Sequence, residues 1–195
     1  MRHKLERFNF SGLQALTASR CVRALTILKE LVNPRVSAAV LRTLFNGWCT
    51  SHRFQGSGNC LFNCSYWAKD KLEHYAVCPH VINFGKNFLN LYPGPDGIQP
   101  GQFITMGLNE GSVSDDTLVR RAISIFSVYR TMSEVAHGTQ LNSGELQELM
   151  RQFAREAVRG HGVSTAILEN CFNCHSTGND TFITEEPPQD WEVEV

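Results

Sequence analysis

The chain lacks any N-terminal apolar run long enough for a signal peptide, and nothing in it approaches a membrane span. It lacks an even number of cysteines: seven cannot all pair within one chain. Both absences point to a reducing compartment, nuclear or cytoplasmic, where clustered Cys and His signify metal rather than disulfide. There is no G-x-S-x-G string, P-loop, H-E-x-x-H pair or Rossmann glycine run, so no catalytic residue is assigned and no enzyme is expected. No internal repeat is present. The opening MRHKLERFNF is basic with one acid, as transit peptides are, but Glu6 and a weak amphipathic pattern argue against one.

At 195 residues there is room for one domain or two small ones with a true apolar core. The net charge of −1 hides a gradient. Residues 1–58 hold nine Lys/Arg against two acids, residues 59–175 nine against eleven, and residues 176–195 six acids and no base. A basic front half suits a polyanion partner, although basic helices are often only solvated faces.

The chain's chemistry concentrates in CLFNCSYWAKDKLEHYAVCPH, Cys60 to His80. Three residues separate Cys60 from Cys64, three separate His74 from Cys78, and nine separate the pairs. Three thiols and an imidazole make a complete tetrahedral zinc set. Asp70 and Glu73, three apart, predict a capping box that opens a helix. His74 and Cys78 then share one helical face, and Pro79 ends the helix at Cys78. Gly56-Ser57-Gly58-Asn59 lets the chain fold back over a metal. The bland alternative is that the cysteines are small core residues and His74 a packed imidazole. His80, or the Cys49/His52 pair, are alternative ligands.

The expected fold is mainly α: a helical hairpin feeding a small CCHC zinc module, then a second helical pair and a disordered acidic tail. Residues 1–18 read as a loose lead-in. Cys21, Leu25, Leu28 and Val32 recur at helical spacing from Ser19, and Asn33-Pro34 stops that helix and caps the next. There Val36, Val40, Leu44 and Trp48 form a buried stripe, while Arg35 and Arg42 share another face. The hairpin and knuckle span 19–92, with a short helix over Val81–Leu91. Residues 93–112 are Gly/Pro-rich, with a brief extended candidate at Phe103–Met106, and are taken as a linker. The helical subdomain, 113–170, opens with a long helix from Ser114 to about His137. Leu118, Ala122, Ile125, Tyr129, Met132 and Ala136 line one stripe of it, widened by Val119, Ile123 and Phe126. A further helix, capped by Ser143, runs through Val158. Residues 171–195 read as the acidic tail.

Two other strings are set aside. Cys171-Phe-Asn-Cys174-His175 matches a haem-attachment string, but nothing supplies an axial partner or a macrocycle pocket, and two unpaired tail cysteines are the simpler reading. Ser114-Asp115-Asp116 looks like a polymerase aspartate pair, yet it opens a helix, where Ser and Asp serve as caps.

Aromatics crowd the knuckle: Phe54, Phe62, Tyr66, Trp67 and Tyr75. Beside Arg53, Lys69 and Lys71 they suit a single-stranded nucleic-acid platform, in which rings stack on bases and cations hold phosphates. A module this small also needs aromatics as its own core, so one or two should be exposed and the rest packed. PRVSAAVLRTLFNGWCTSHRFQ followed by C-x3-C and EHYAVC resembles the zinc-knuckle region of LINE-type, non-LTR retrotransposon reverse transcriptases, over about Ala24 to Leu91. The resemblance implies a non-catalytic segment that binds RNA or single-stranded DNA. Cys60, Cys64, His74 and Cys78 would hold zinc, Arg35, Arg42, Arg53, Lys69 and Lys71 would meet phosphates, and Tyr66 and Trp67 would stack on bases. Two departures stand: the family's first pair is more often C-x2-C, and no polymerase domain lies in these residues. A different expectation is a zinc-stabilised protein-interaction module offering the apolar face of helix 114–137 to a partner.

Overall fold

A helix that is apolar around most of its girth has to be surrounded by other elements. A computed structural model describes residues 14–56, 58–64, 68–91, 100–138 and 140–173. Among these, α1 (Gln14–Leu31) and α2 (Pro34–Leu44) form the expected hairpin. Two short helices follow, α3 (Leu72–Val77) and α4 (Pro79–Leu89), and then α5 (Pro100–Ile104). The chain continues through α6 (Asp115–Ala136), α7 (Ser143–Val158) and α8 (Gly162–Asn173). Helices α1, α2, α4, α7 and α8 all pack on α6. The fold is mainly α, and the described residues contain no strand, only an isolated antiparallel bridge between Asn59 and Lys69.

The long helix is enclosed by its own chain. Leu118, Val119, Ala122, Ile123, Ile125, Phe126, Val128 and Met132 are buried, while Ala136, expected on the same stripe, is exposed at the helix end. None of the exposed large apolar side chains among the described residues lies on α6. The apolar face anticipated for a partner is therefore covered from within.

Several boundaries differ from the sequence expectation. Helix α1 already covers Gln14, ahead of the expected start at Ser19, and its Thr17 and Ala18 are buried against the core. Residues 100–112 are not a spacer. Phe103, Ile104, Met106 and Leu108 belong to the one core cluster that also takes in Trp48, Tyr75 and Ile123. Phe103 and Ile104 are helical rather than extended. Two arginines hold the following turn: Arg121 donates to the Met106 carbonyl at 2.7 Å and Arg20 to that of Leu108 at 3.2 Å. Gly107 has φ +77°, a conformation that favours glycine, and a Cβ there would lie 1.6 Å from Arg121 Nη1 and push that guanidinium off the Met106 carbonyl.

At the other end, α7 is capped by Asn142 rather than Ser143. Helix α8 runs through residue 171, so Cys171 is a buried helical residue with its Sγ 3.5 Å from the Ile167 carbonyl oxygen, not part of a tail. Residues 1–13, the Tyr92–Gly97 breaker, Cys174, His175 and the acidic stretch 176–195 lie outside the described residues.

Candidate metal centre

The site is built outward from Trp48, fully buried just past the end of α2. Its indole N–H donates to Thr43 Oγ1 at 2.8 Å, and that hydroxyl donates to the Ala39 carbonyl at 2.9 Å. The ring meets Tyr75 with centroids 5.6 Å apart, Tyr129 at 5.6 Å and Phe103 at 6.3 Å. One side chain thus joins the hairpin, α3, α5 and α6. Edge-to-face rings at such distances contribute beyond the area they bury.

On this base the chain brings Cys60, Cys64, His74 and Cys78 together. Their ligand atoms all lie within 4.8 Å of one another, and Cys64 Sγ is 3.3 Å from His74 Nε2. Tetrahedral bonds of ordinary length place ligand atoms about 3.5–3.8 Å apart, so closing on an ion needs movements of roughly 1 Å. Cys60, His74 and Cys78 are buried and Cys64 is half-buried. This Cys3His cluster could hold a metal ion, with all four positions supplied by protein and none left open for chemistry.

Local backbone explains the convergence. Cys60 N–H donates to the Ala68 carbonyl at 2.8 Å beside the Asn59–Lys69 bridge, which brings the two halves of the loop face to face. Asn63, at φ 48°, turns the chain between the first two cysteines, a conformation that asparagine tolerates better than most residues. Phe62 is buried with its ring 5.1 Å from Tyr75. His74 lies within α3. Cys78, at φ −62° and ψ 129°, is the joint where α3 stops and α4 starts, with Pro79 opening the second helix. Proline's clash with helical geometry at the preceding residue fixes that extended joint.

The anticipated Asp70/Glu73 capping box does not form. Lys71 occupies the N-cap of α3, with no side-chain cap bond. Asp70 is instead buried, accepting from Tyr75 OH at 2.6 Å and from Ser51 N–H at 2.6 Å. Its backbone is committed as well: Asp70 N–H donates to the Gly58 carbonyl at 2.8 Å, and its carbonyl accepts from His52 N–H at 3.1 Å. The signal in the sequence was an acid preceding a helix. The buried tyrosine four residues past Lys71 decided its partner.

The electrostatics of the cluster favour an anionic sulfur at Cys60 and oppose a second one at Cys78. The Cys60 thiol is drawn down to about 4, first by a hydrogen bond from the Cys78 thiol, with burial opposing and His74 assisting. Cys78 is raised by that same bond, by its burial and by the neighbouring sulfur charge. Backbone N–H groups of Phe62 and His80 further favour the anionic forms of Cys60 and Cys78. A cation entering the cluster would displace the remaining thiol protons.

The alternative ligands lie elsewhere. His80 has its Nδ1 3.5 Å from Ser143 Oγ, its carbonyl accepts from Gln147 of α7 at 2.8 Å, and burial lowers its imidazole pKa. Cys49 and His52 are exposed and outside the cluster. Of the residues expected to meet nucleic acid, Arg35 is paired with Glu156 at 2.8 Å and Arg42 donates to Tyr129 OH at 2.9 Å. Arg53 lies in the short 3-10 turn His52–Phe54, with its guanidinium 5.9 Å from the Phe54 ring centroid. Phe54 is 68 % exposed, Lys69 is exposed and Lys71 half-buried, whereas Phe62 and Tyr75 are packed. Tyr66 and Trp67 lie outside the described residues. The chain matches no protein-family model, no curated protein and no solved structure.

Proposed function

We propose that the Cys3His cluster holds a structural zinc ion and that the module it organises binds RNA or single-stranded DNA without catalysis, like the C-terminal zinc knuckle of a LINE-type reverse transcriptase. The convergence of Cys60, Cys64, His74 and Cys78 carries this reading. A closed set of thiolates and imidazole suits zinc and leaves no position for a reacting water. The reading brings with it a reducing compartment, nuclear or cytoplasmic.

Support for the ligand comes from the loop beside the cluster. Phe54 offers an exposed ring next to Arg53, and bonds through Asp70 hold that turn alongside Lys69 and Lys71. An exposed aromatic among cations is the common arrangement for bases and phosphates of a single strand. Arg35 and Arg42, occupied by Glu156 and Tyr129, are secondary contacts in this scheme.

Protein purified without added metal should contain about one zinc per chain. Titration with oligo(U) and oligo(dT) at increasing salt should give a log–log slope of about −2 for three phosphate contacts on a single strand. Absent zinc, or absent or salt-insensitive binding by the zinc-loaded protein, would overturn the proposal.

A further inference from the structure

Asp70 has no place in a four-ligand metal set, yet it is 2 % exposed and all its hydrogen bonds run between the cluster and the neighbouring loop. On one side its carboxylate accepts from Tyr75 OH at 2.6 Å, and Tyr75 follows the ligand His74 in α3. The same phenol accepts from Leu61 N–H at 3.4 Å, so it also touches the turn between Cys60 and Cys64. On the other side the carboxylate takes Ser51 N–H at 2.6 Å, and the Asp70 backbone bonds His52 N–H and the Gly58 carbonyl.

These bonds form one continuous path from two metal-binding segments to the turn that displays Arg53 and Phe54. A buried carboxylate that loses a partner is left with an unsatisfied charge, so each end of the path constrains the other. We infer that Asp70 is a positioning residue that makes the conformation of the 51–56 turn depend on metal occupancy, so that the exposed Arg53/Phe54 surface is ordered only in the loaded protein. This rests on the cluster binding zinc, but not on what the surface contacts.

Ser51 N–H is the direct reporter, because the Asp70 carboxylate is its acceptor. Amide exchange on full-length protein should show Ser51 losing about tenfold or more of its protection when zinc is stripped with EDTA. Asp70→Ala should produce the same loss with zinc still bound, and Asp70→Asn should restore part of it. Tyr75→Phe removes the phenol while keeping the ring in the core. In that variant Leu61 N–H should exchange faster, and the Ser51 response to EDTA should shrink. Protection at Ile125 in α6 should hold throughout, separating a local effect from unfolding. Ser51 unchanged by EDTA or by Asp70→Ala, or lost only in step with Ile125, overturns the inference while leaving a zinc-bound protein standing. Failure to bind zinc at all overturns the metal reading, and this inference with it.

Discussion

Individual side chains in this protein serve more than one element at a time. Cys78 is a member of the Cys3His cluster and also the joint of α3 and α4, its carbonyl accepting from Val81 and Ile82 N–H at 2.9 and 3.0 Å. Cys78→Ser should lower the zinc-to-protein ratio from about one to near zero and reduce the thermal midpoint, as measured by elemental analysis and by calorimetry. Trp48→Ala, which empties the contact among α2, α3, α5 and α6, should cost about 3–5 kcal/mol in denaturant unfolding. The Cys60, Cys64, His74 and Cys78 cluster was legible in the sequence because the spacing within each pair is a local property. Asp70 was misread because its partners, Ser51 and Tyr75, are chosen by burial. Nothing in the spacing from Asp70 to Glu73 reports that a phenol four residues beyond Lys71 will be inside.

At the scale of the element, strong periodicity and proline located most helices, and caps located their ends less well. Asn33 accepts from Arg35 N–H at 3.1 Å as the Asn-Pro pair implied. Helix α7 uses a capping box of Asn142 and Glu145, where the sequence reading placed the cap one residue later, at Ser143. Asn142→Ala should therefore cost about 1 kcal/mol, while Ser143→Ala should stay within about 0.5 kcal/mol, both read from urea midpoints at constant slope. Helix α5 was hidden for a different reason. Its five residues are too few for periodicity, and the glycines and prolines nearby advertise a turn, yet Phe103 and Ile104 enter the core through tertiary contact. The Met106–Gly107 reversal depends on Arg121, fifteen residues away, and no local signal carries that.

For the whole molecule, acid should act in one direction. Cys60 titrates near 4 when folded and near 9.0 in its ordinary state, so the metal-free fold gains stability as pH rises across that interval and loses it as pH falls back through 4. Burial lowers His80 below its ordinary 6.5, which adds a loss in the same direction on acidification. Cys78, raised by its neighbour, works against the fold only above about 9.0. In EDTA the thermal midpoint should climb between pH 5 and pH 8, and Cys60→Ser should flatten that climb. The hairpin and the second helical pair were expected as parts on either side of a linker. Instead Trp48, Tyr75 and Phe103 share one interior with α6. The consequence concerns transplantation. A peptide spanning only the Cys/His loop would carry Tyr75 without Trp48 and the other rings around that indole, Phe103 and Tyr129, so this loop is not a cassette that can be lifted into another scaffold and keep its shape.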